Sequence, residues 1–374
     1  MDKHLHIVTL DVPYPADYGG VIEQFYKIVS LYERGVKIHL HCFTKSRPQQ
    51  KELEQYCVSV NYYPRKKWSG ISLSLPFIVQ SRKCRQLLET LQQDNYPILL
   101  EGIHCSYFVY SGDLSNRKIL LRLHNTEFEY YHQLALHEKD PFKKFYFNYE
   151  SKLLKKYEKK IGATTSIAAL SEQDIDVYKT DLKANNIFYL PAFIPFENVQ
   201  AENGTGCYCL YHGNLSVNEN EEAVIWLLEN VFKNLKVPFA IAGKMPSQRL
   251  EAIIKQYDHT CLVANPGEKE LHDMIAKAQI NILPSFNNTG IKFKLLNALY
   301  NGRHCITNIA GVEGTSLDQL CCIAEDAEGI KSSINKLYSL PFTDLEKNKR
   351  QLLLQEIYNN HCNAEKIIDF FWGN

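Results

Sequence analysis

The sequence predicts an α/β protein built from two doubly wound, Rossmann-like domains in series. Short apolar runs alternate with helical segments along the whole chain, and this alternation is typical of parallel sheets covered by helices. The pattern also restarts in the middle, so that each half begins with a strand, a glycine-bearing loop and a helix. A chain of 374 residues is moreover too long for one ordinary hydrophobic core.

The first predicted domain spans residues 1–190. A helix over residues 21–33 follows its first strand and ends before Gly35. The strands are predicted at residues 5–10, 36–43, 98–100, 119–123 and 166–170. Proline, asparagine, glycine and acidic residues then accumulate over residues 191–206, which predicts a linker.

The second predicted domain spans residues 207–350. Asn218, with Glu221 three positions later, predicts a capping box that would start a helix running to Phe232. The strands are predicted at residues 207–212, 239–242, 261–264, 280–283 and 305–307. Residues 351–374 should contain a helix over 364–372, and its pattern leaves open whether it covers the second sheet or crosses back to the first domain.

The composition argues against several classes of protein. Lys plus Arg and Asp plus Glu number 42 each, whereas a general nucleic-acid binder needs a basic surface. The eleven cysteines show no zinc-site spacing, so no metal site is predicted. No apolar run approaches the roughly 20 residues of a membrane span, and no signal-peptide core is visible. A cytoplasmic protein with reduced thiols is the resulting expectation.

The most informative segment is residues 284–308, PSFNNTGIKFKLLNALYNGRHCITN. A strand ends at its start, and a helix is predicted to open near Ile291 and to stop at Gly302. Lys292 and Lys294 lie in the first turn, where cations oppose the helix dipole at a cost of about 0.3 kcal/mol or more. An anion bound by both lysines and the free backbone N–H groups would explain them. Two solvated surface lysines are the alternative.

Two further loops carry weaker signals for phosphate binding. Gly19 and Gly20 follow the first strand, and adjacent glycines let backbone approach a phosphate closely. An ordinary turn explains this pair equally well. Gly243 and Lys244 place another lysine at the carboxyl end of a strand, where the ligands of such sheets bind.

Residues 122–127, RLHNTE, end another predicted strand. His124 stands out because histidine side chains in general titrate near neutrality and donate hydrogen bonds to hydroxyl-rich ligands. The alternative is a structural histidine, with Arg122 and Glu127 as a local ion pair. Residues 101–104, which include Glu101, Gly102 and His104, also follow a predicted strand and are weaker candidates for lining the same ligand-binding cleft as His124. No GxSxG elbow, HExxH or P-loop motif is present, which removes most support for hydrolases and kinases.

Together these segments resemble the GT-B glycosyltransferases, specifically the retaining family-4 enzymes, over nearly the whole chain. PYPADYGGVIEQFY resembles the family's N-terminal glycine loop with its following helix, and RLHNTE resembles its first-domain histidine segment. IAALSEQDIDVY, YHGNLSVNENEEAVIWL, IAGKMP and TGIKFKLLNALYNGRHCITNIAGVEG follow the family's order up to the linker and through the donor domain. The resemblance implies two Rossmann-like domains that face each other across a cleft.

The resemblance also implies a retaining, metal-independent hexosyltransferase whose donor, a nucleotide diphosphate sugar, is a substrate, so that no cofactor is expected. The acceptor would be a saccharide or lipid-linked, in surface polysaccharide synthesis. His124 would contact the transferred sugar or the acceptor, and Lys292 and Lys294 would neutralise the leaving diphosphate. The implied donor-binding residues are Gly19, Gly20, Gly213, Asn214, Gly243, Lys244, Thr289, Gly290 and Asn297.

Two features depart from the family's pattern. Thr289 and Asn297 stand where the family commonly has two glutamates eight positions apart, the second of which binds the ribose. The first loop of the donor domain is acidic where the family is commonly basic, which leaves phosphate neutralisation to Lys244, Lys292 and Lys294. Thr289 and Asn297 motivate one alternative, a non-catalytic scaffold or sugar-binding protein. A nucleotide-sugar epimerase is a third hypothesis, which the order and spacing of the segments disfavour because they resemble transferases.

Basic and aromatic residues are interleaved over residues 143–160. Seven lysines there stand against only Glu150 and Glu158, a net charge of +5, and residues 65–68, RKKW, add a second basic and aromatic spot. Such a surface suits an anionic membrane at up to about 1 kcal/mol per cation. This motivates the hypothesis of peripheral contact with the inner membrane face. A solvated basic helix whose aromatic side chains pack inward is the alternative.

Overall fold

The computed structural model describes residues 2–45, 47–66, 74–286 and 290–373, and the chain divides into two compact units. The first unit consists of Met1–Pro195, Thr289–Ile291 and Tyr358–Asn374, and the second of Phe196–Asn288 and Lys292–Ile357. Each unit contains one parallel sheet with helices between its strands. The predicted fold class of two doubly wound α/β domains is confirmed.

The first unit alternates strands and helices from its start. In chain order its N-terminal segment contains β1 (His4–Thr9), α1 (Gly19–Glu33), β2 (Lys37–Thr44), β3 (Ser59–Pro64), α2 (Phe77–Gln80), α3 (Arg85–Leu91), β4 (Ile98–Glu101), α4 (Tyr107–Tyr110), β5 (Ile119–Leu123), α5 (Glu127–His137), α6 (Pro141–Thr164), β6 (Ser166–Ala169), α7 (Glu172–Thr180) and β7 (Ile187–Tyr189). Short 3-10 helices lie at Lys51–Gln55 and Ile103–Cys105.

The seven strands of the first unit pair in the order β3-β2-β1-β4-β5-β6-β7, all parallel. Successive side chains of a strand pack into hydrophobic clusters on opposite faces of the sheet. Leu100 and Leu121 belong to one cluster, whereas Leu99 and Leu120 belong to the other. Strand addition changes direction between β1 and β4, and ligands of such sheets bind at the carboxyl ends beside this point. Glu101, the last residue of β4, lies there.

The second unit repeats the architecture with six strands. It contains β8 (Cys209–Asn214), α8 (Asn218–Leu227), β9 (Phe239–Lys244), α9 (Gln248–Ile254), β10 (Thr260–Ala264), α10 (Glu268–Lys277), β11 (Ile280–Ile282), α11 (Phe293–Asn301), β12 (His304–Thr307), α12 (Ile309–Val312), β13 (Cys322–Ile323), α13 (Ala327–Leu337) and α14 (Asp344–Ile357). A π-helical turn, Leu228–Phe232, continues α8, and a 3-10 helix lies at Asp318–Leu320.

The sheet of the second unit has the order β10-β9-β8-β11-β12-β13 and is also parallel. Its direction changes between β8 and β11, so the loops after these strands occupy the position where a ligand is expected. The loop after β8 starts at Asn214, and the segment after β11 leads to α11.

The final helix, α15 (Asn360–Trp372), belongs to the first unit. Its side chains Ala364, Ile367, Ile368 and Phe371 are buried in the core formed with β1 and β2. Asn359 caps the helix by accepting a hydrogen bond from the N–H of Cys362 at 3.1 Å. None of the helices in the described ranges is both long and apolar enough to span a membrane.

Several local predictions need correction. The predicted capping box is wrong: α8 begins at Asn218 itself, after Val217, which contributes no capping side chain. A turn in which the Val217 N–H bonds to the Asn214 carbonyl at 3.2 Å starts the helix earlier, and Glu221 instead accepts a hydrogen bond from Ser247. Strands β3, β7 and β13 were not predicted, because β3 is half-exposed and polar and the other two have only three and two residues.

Candidate functional site

Each unit gathers charged side chains at the carboxyl ends of its strands. In the first unit these are Glu23 and Lys27 of α1, Glu101 at the end of β4, Arg122 of β5 and His124 just after β5. The side chains of the first four are at most 1% exposed, and that of His124 is 13% exposed. We call these five residues the charged cluster of the first unit.

The four most deeply buried members of the charged cluster are paired with one another. The Lys27 ammonium donates to Glu23 Oε2 at 2.9 Å and to Glu101 Oε1 at 2.6 Å. The Arg122 guanidinium donates to Glu23 Oε1 through Nε at 3.0 Å and Nη2 at 2.9 Å. Its remaining bonds go to the backbone carbonyls of Leu190 and Pro191. Two carboxylates and two permanent cations therefore balance each other, as buried charges must.

The neighbouring cations determine the ionisation of Glu23. Burial alone would raise the pKa of Glu23, but the charges of Lys27 and Arg122 overcome it and lower that pKa to about 2. Arg122 thus pairs with Glu23, so the local ion pair between Arg122 and Glu127 considered above is wrong. The Glu127 carboxyl is buried without such pairing, and burial raises its pKa to about 7.

His124 is oriented by this cluster. Its Nε2 lies 2.9 Å from Glu101 Oε2, and Glu101, whose other oxygen accepts from the Lys27 ammonium, acts as an acceptor. The proton of a neutral His124 ring must then reside on Nε2. In that neutral tautomer Nδ1 keeps a lone pair, and Nδ1 makes no hydrogen bond to any residue within the described ranges. The arrangement presents a hydrogen-bond acceptor suited to a hydroxyl group.

Three members of the cluster could in principle ligate a metal. One ligand atom from each of Glu23, Glu101 and His124 lies within 4.8 Å of the other two. However, the Lys27 ammonium already bonds both carboxylates, and a divalent ion there would have to displace it. The donor set therefore fits an internal ion-pair cluster better than a metal centre.

The glycine pair Gly19 and Gly20 occupies the first turn of α1, not the preceding loop, which corrects the prediction. The N–H groups of Val21 and Ile22 bond to the Tyr18 carbonyl at 3.0 and 2.9 Å. Those of the two glycines are therefore the helix donors left for an anion. A Cβ on Gly20 would approach only the Tyr18 ring, at 3.4 Å, so packing does not by itself require glycine there.

Gly290 belongs to the first unit, although the sequence placed it in the donor domain. Its φ of +68° is left-handed, and a Cβ on it would lie 2.3 Å from Asn125 Oδ1. Glycine is thus required at this position. Thr289, the neighbouring predicted residue, lies outside the described residues.

In the second unit, Lys294 is the central charged side chain. It lies in the first turn of α11, which begins at Phe293, two residues later than predicted, because Lys292 is the N-cap. Its ammonium donates to Asn220 Oδ1 at 2.8 Å and to Tyr211 Oη at 3.0 Å, and lies 4.8 Å from the centre of the Tyr211 ring. The interpretation of Lys294 as a solvated surface lysine is thereby excluded.

Lys294 is not electrically balanced as Lys27 and Arg122 of the charged cluster are. Among the residues that the structure describes, no carboxylate forms an ion pair with it, and its hydrogen-bond partners are neutral. Burial, together with the charge of Lys292, lowers the pKa of Lys294 to about 7, and Glu219 opposes this only in part. Burial also lowers the pKa of Lys292. An anion bound here would stabilise both ammonium groups.

His212 lies beside this lysine on β8. Burial and then the charge of Lys294 lower the pKa of His212 to about 3, so its ring is neutral. Its Nε2 is buried and has no hydrogen-bond partner in the part of the chain that the structure describes. An unsatisfied buried nitrogen next to an unbalanced cation is unusual in a purely structural region.

The other predicted donor-site residues of the second unit lie at the ends of β8 and β9. Gly213 pairs with Gly243, and Asn214 pairs with Lys244. A Cβ on Gly243 would lie 2.1 Å from the Gly213 carbonyl oxygen, so Gly243 serves strand packing. The Asn214 side chain accepts from the N–H and hydroxyl of Ser216 at 3.1 and 2.8 Å, which holds the loop after β8.

Asn297 stands at the position of a ribose-binding glutamate, and the oxygen of its side-chain amide is already engaged in a hydrogen bond. It lies one turn after Lys294 on α11, and its Oδ1 accepts from the Asn301 amide at 2.7 Å. Its amide N–H₂ is the group left to contact a ligand hydroxyl.

The sequence did not point to the partners of these side chains. Glu23 and Lys27 are four apart on one helix and both face inward, so two charged residues on the buried stripe of α1 were the available signal. Tyr211 and Asn220 carry no local signal, because they meet Lys294 only through the tertiary fold.

Comparison with known proteins places this geometry in context. No protein-family model matches the chain. A protein from Klebsiella pneumoniae, described as an uncharacterized 44.6 kDa protein in the cps region, is 27% identical over 334 residues, covering 83% of this chain and 84% of the relative.

Solved structures resemble the whole chain. Sucrose-phosphate synthase from Thermosynechococcus elongatus has a TM-score of 0.68 at 13% identity and covers 99% of this chain and 98% of its own. TarM has a TM-score of 0.70 at 11% identity, with coverage of 100% and 99%. HepE from Anabaena, solved with UDP and glucose, has a TM-score of 0.66 at 9% identity, with 98% of both chains covered. The chain therefore has the GT-B fold of the nucleotide-sugar glycosyltransferases.

Proposed function

We propose that the protein transfers a hexose-type sugar from a nucleotide diphosphate sugar to a saccharide or lipid-linked acceptor. The observation that carries this proposal is the half-buried Lys294 ammonium, which has neutral hydrogen-bond partners and a lowered pKa, in a chain with the GT-B fold. A donor diphosphate would supply the missing negative charge. The relative in a cps region supports a role in surface polysaccharide synthesis.

The residues have distinct roles in this proposal. Lys292, Lys294 and the N-terminus of α11 hold the diphosphate and stabilise its charge as the bond to the sugar breaks. Lys244 contributes further positive charge at the end of β9. In the first unit, His124 offers Nδ1 to a hydroxyl of the bound sugar or acceptor, and Glu101 keeps the ring in that orientation.

The transfer itself exchanges one bond for another. The bond from the sugar's anomeric carbon to the phosphate oxygen breaks, the acceptor oxygen bonds to that carbon, and the acceptor proton passes to the leaving diphosphate. We propose retention of the anomeric configuration, on the resemblance to the family-4 enzymes, and independence of metal ions, because lysines can supply the positive charge. Product configuration by NMR and turnover in the presence of a chelator test these two points.

A panel of UDP, GDP, ADP and their common sugars in thermal-shift assays tests the donor. A ligand at 100 times its Kd should stabilise the protein by about 2.7 kcal/mol. The stabilising donor should also be hydrolysed slowly without acceptor. Lys294→Met should abolish the shift and the hydrolysis, whereas Lys336→Met, an exposed lysine of α13, should leave both unchanged. No shift with any nucleotide would contradict the proposal.

A non-catalytic sugar-binding protein is the second candidate, and Asn297 favours it. The residue lacks the charge of a glutamate, and its carbonyl oxygen is already engaged by Asn301. Nucleotide-sugar binding without hydrolysis or transfer would support this candidate. Interconversion of sugar epimers would point instead to an epimerase.

A further inference from the structure

The solvent side of α6 is strongly cationic. All seven lysines of this helix are exposed, namely Lys143, Lys144, Lys152, Lys155, Lys156, Lys159 and Lys160. Its only two acidic residues, Glu150 and Glu158, are 2% and 0% exposed. Both acidic side chains of the helix are therefore turned inward, and one of the exposed lysines, Lys155, pairs with Asp181 at 3.2 Å.

The buried glutamates have structural tasks that keep them there. Glu150 accepts a hydrogen bond from the backbone N–H of Phe77 at 2.8 Å, at the start of α2. Glu158 accepts from the N–H groups of Glu127 and Phe128 at 3.0 Å each, which caps the start of α5, and from the Tyr178 hydroxyl at 2.9 Å. Neither carboxylate can swing out to neutralise a lysine without uncapping a helix.

The same helix begins with two large apolar side chains in water. Phe142 is 84% exposed and Phe145 is 74% exposed, and Leu136 at the end of α5 is 54% exposed. The first turn is nevertheless well formed, because Asp140 caps it by accepting from the N–H groups of Phe142 and Lys143 at 2.8 and 3.0 Å.

The aromatic residues of this helix divide into two groups. Phe147 packs against Tyr131 of α5, with ring centres 6.0 Å apart, and Tyr146 is half-buried beside it. Phe142 and Phe145 precede the point where α6 is covered. Exposed aromatic rings that do not pack into the hydrophobic core indicate a surface that binds another molecule.

The exposed rings and the lysines share one side of the helix. Phe145, Lys152, Lys156 and Lys159 follow one another at spacings of seven, four and three residues, which places them on one stripe. The 24 residues of α6 span about 36 Å. The exposed side of α6 is therefore convex, with apolar side chains at its N-terminal end and lysines along the rest of its length.

These features select the chemistry of the partner. Seven exposed lysines, one of which pairs with Asp181, favour a partner with an anionic surface. Single-stranded nucleic acid is bound where aromatic rings are interleaved along a basic groove, whereas here both exposed rings lie at one end of a convex helix. An anionic lipid bilayer fits both the exposed rings and the lysines. The aromatic rings can insert at the boundary between headgroups and acyl chains, while the lysines contact the anionic headgroups.

We propose that the solvent side of α6, with Phe142 and Phe145 at its start and the exposed lysines behind them, docks the first unit on an anionic lipid membrane. This surface deepens the proposed function, since it would carry the acceptor site to a lipid-linked acceptor. The docking itself requires no transfer activity. The second basic spot predicted at residues 65–68 is not part of the proposal, because Lys67 and Trp68 lie outside the described residues.

Vesicle co-sedimentation of the full chain tests the surface at roughly 0.15 M salt. Vesicles that contain phosphatidylglycerol should bind the protein, and vesicles of phosphatidylcholine alone should bind it weakly. Replacing Lys152, Lys156 and Lys159 together by Gln should weaken binding about a hundredfold, at about fivefold per lysine. The matched control replaces Lys233, Lys236 and Lys255 of the second unit, which are also exposed, and should leave binding unchanged.

A second pair of variants tests the apolar end. Phe142→Ser with Phe145→Ser should weaken binding by about tenfold for each ring. Leu345→Ser with Leu352→Ser, which removes two exposed side chains of α14 (80% and 71% exposed), should have no effect. Circular dichroism should be native for all four variants, because every replaced side chain is exposed.

The outcomes separate docking from catalysis. Absence of binding to anionic vesicles, equal loss in the control variants, or stronger binding to single-stranded RNA than to vesicles would overturn the docking proposal. The nucleotide thermal shift and donor hydrolysis should be unchanged in the α6 variants. If vesicle binding behaves as expected while no nucleotide stabilises the protein, docking stands and the proposed transfer function fails.

Discussion

The two candidate site regions, one in each unit, compensate positive charge in opposite ways. In the first unit, Lys27 and Arg122 each bond directly to carboxylates that are as deeply buried as they are. In the second, Lys294 bonds to the neutral oxygens of Asn220 and Tyr211. The first arrangement is complete within the protein and serves to hold His124 in place. The second has no carboxylate in direct contact with the ammonium among the described residues, and the charge of Glu219 compensates it only in part, so a bound anion would stabilise it.

The contrast predicts different responses to losing one charged group. Glu23→Gln should lower the free energy of unfolding by about 3–5 kcal/mol, because Lys27 and Arg122 would be left without their common carboxylate in a dry environment. Urea denaturation followed by circular dichroism measures this. The control is Glu33→Gln on the same helix, where the side chain is exposed and the change should stay within about 0.5 kcal/mol.

If Glu23→Gln were as stable as the unaltered chain, the charged cluster would not be the tightly coupled unit described here. The first unit would then not contain the tightly compensated buried charges that distinguish it from the Lys294 site of the second unit.

The first unit contains another fully partnered set of titratable groups. His41 bonds to the Tyr63 hydroxyl at 3.0 Å and to His6 Nδ1 at 2.8 Å, and His6 Nε2 lies 3.0 Å from Asp94. Burial lowers the pKa of His41 to about 3 and that of His6 below its usual range. Both histidines are therefore neutral in the folded protein at neutral pH.

This set predicts a loss of stability in mild acid. Between about pH 3 and 6.5 the unfolded chain binds more protons at these histidines than the folded chain does, so the free energy of unfolding falls as the pH falls. The slope should approach 1.4 kcal/mol per pH unit for His41. In His41→Gln this contribution should disappear, whereas His132→Gln, an exposed position of α5, should keep it. An unchanged acid slope in His41→Gln would contradict the assignment.

Of the substitutions considered, the one at the Lys294 site of the second unit should change the free energy of unfolding least. Lys294→Met removes a cation that forms no ion pair with a carboxylate among the described residues, and an apolar side chain of similar volume in such a place is often neutral or stabilising. We expect the free energy of unfolding to change by less than about 1 kcal/mol. A loss as large as that in Glu23→Gln would mean that Lys294 is a structural residue, and the contrast between the units would disappear.

Most of the fold could be predicted from the sequence because parallel strands buried on both faces are apolar runs. Ten of the thirteen described strands follow from that pattern. The half-exposed β3 and the very short β7 and β13 lack it. Helix starts were less predictable: the N-termini of α8 and α11 depend on turns made by Asn214 and Lys292, and local spacing does not reveal such turns.

The candidate site was predictable only where its residues follow strand ends or start helices. His124 and Lys294 were singled out by such positions, and their assignment to catalysis stays a prediction. The residues that determine their behaviour were not foreseeable: Glu101 fixes the His124 ring, and Asn220 and Tyr211 surround Lys294. Those contacts join residues 23, 74 and 83 positions apart in the chain.

The central claim is that Lys294 binds the diphosphate of a nucleotide-sugar donor. Titration calorimetry of the nucleotide diphosphate chosen by the thermal-shift panel, between pH 6 and 9 in buffers of different ionisation enthalpy, tests it most directly. Because the pKa of Lys294 is about 7 in the free protein, binding should take up a proton above that pH. Affinity should then fall by about tenfold per pH unit, and Lys294→Met should bind weakly without this pH dependence. A pH-independent affinity without proton uptake, or the same profile in Lys294→Met, would contradict the claim.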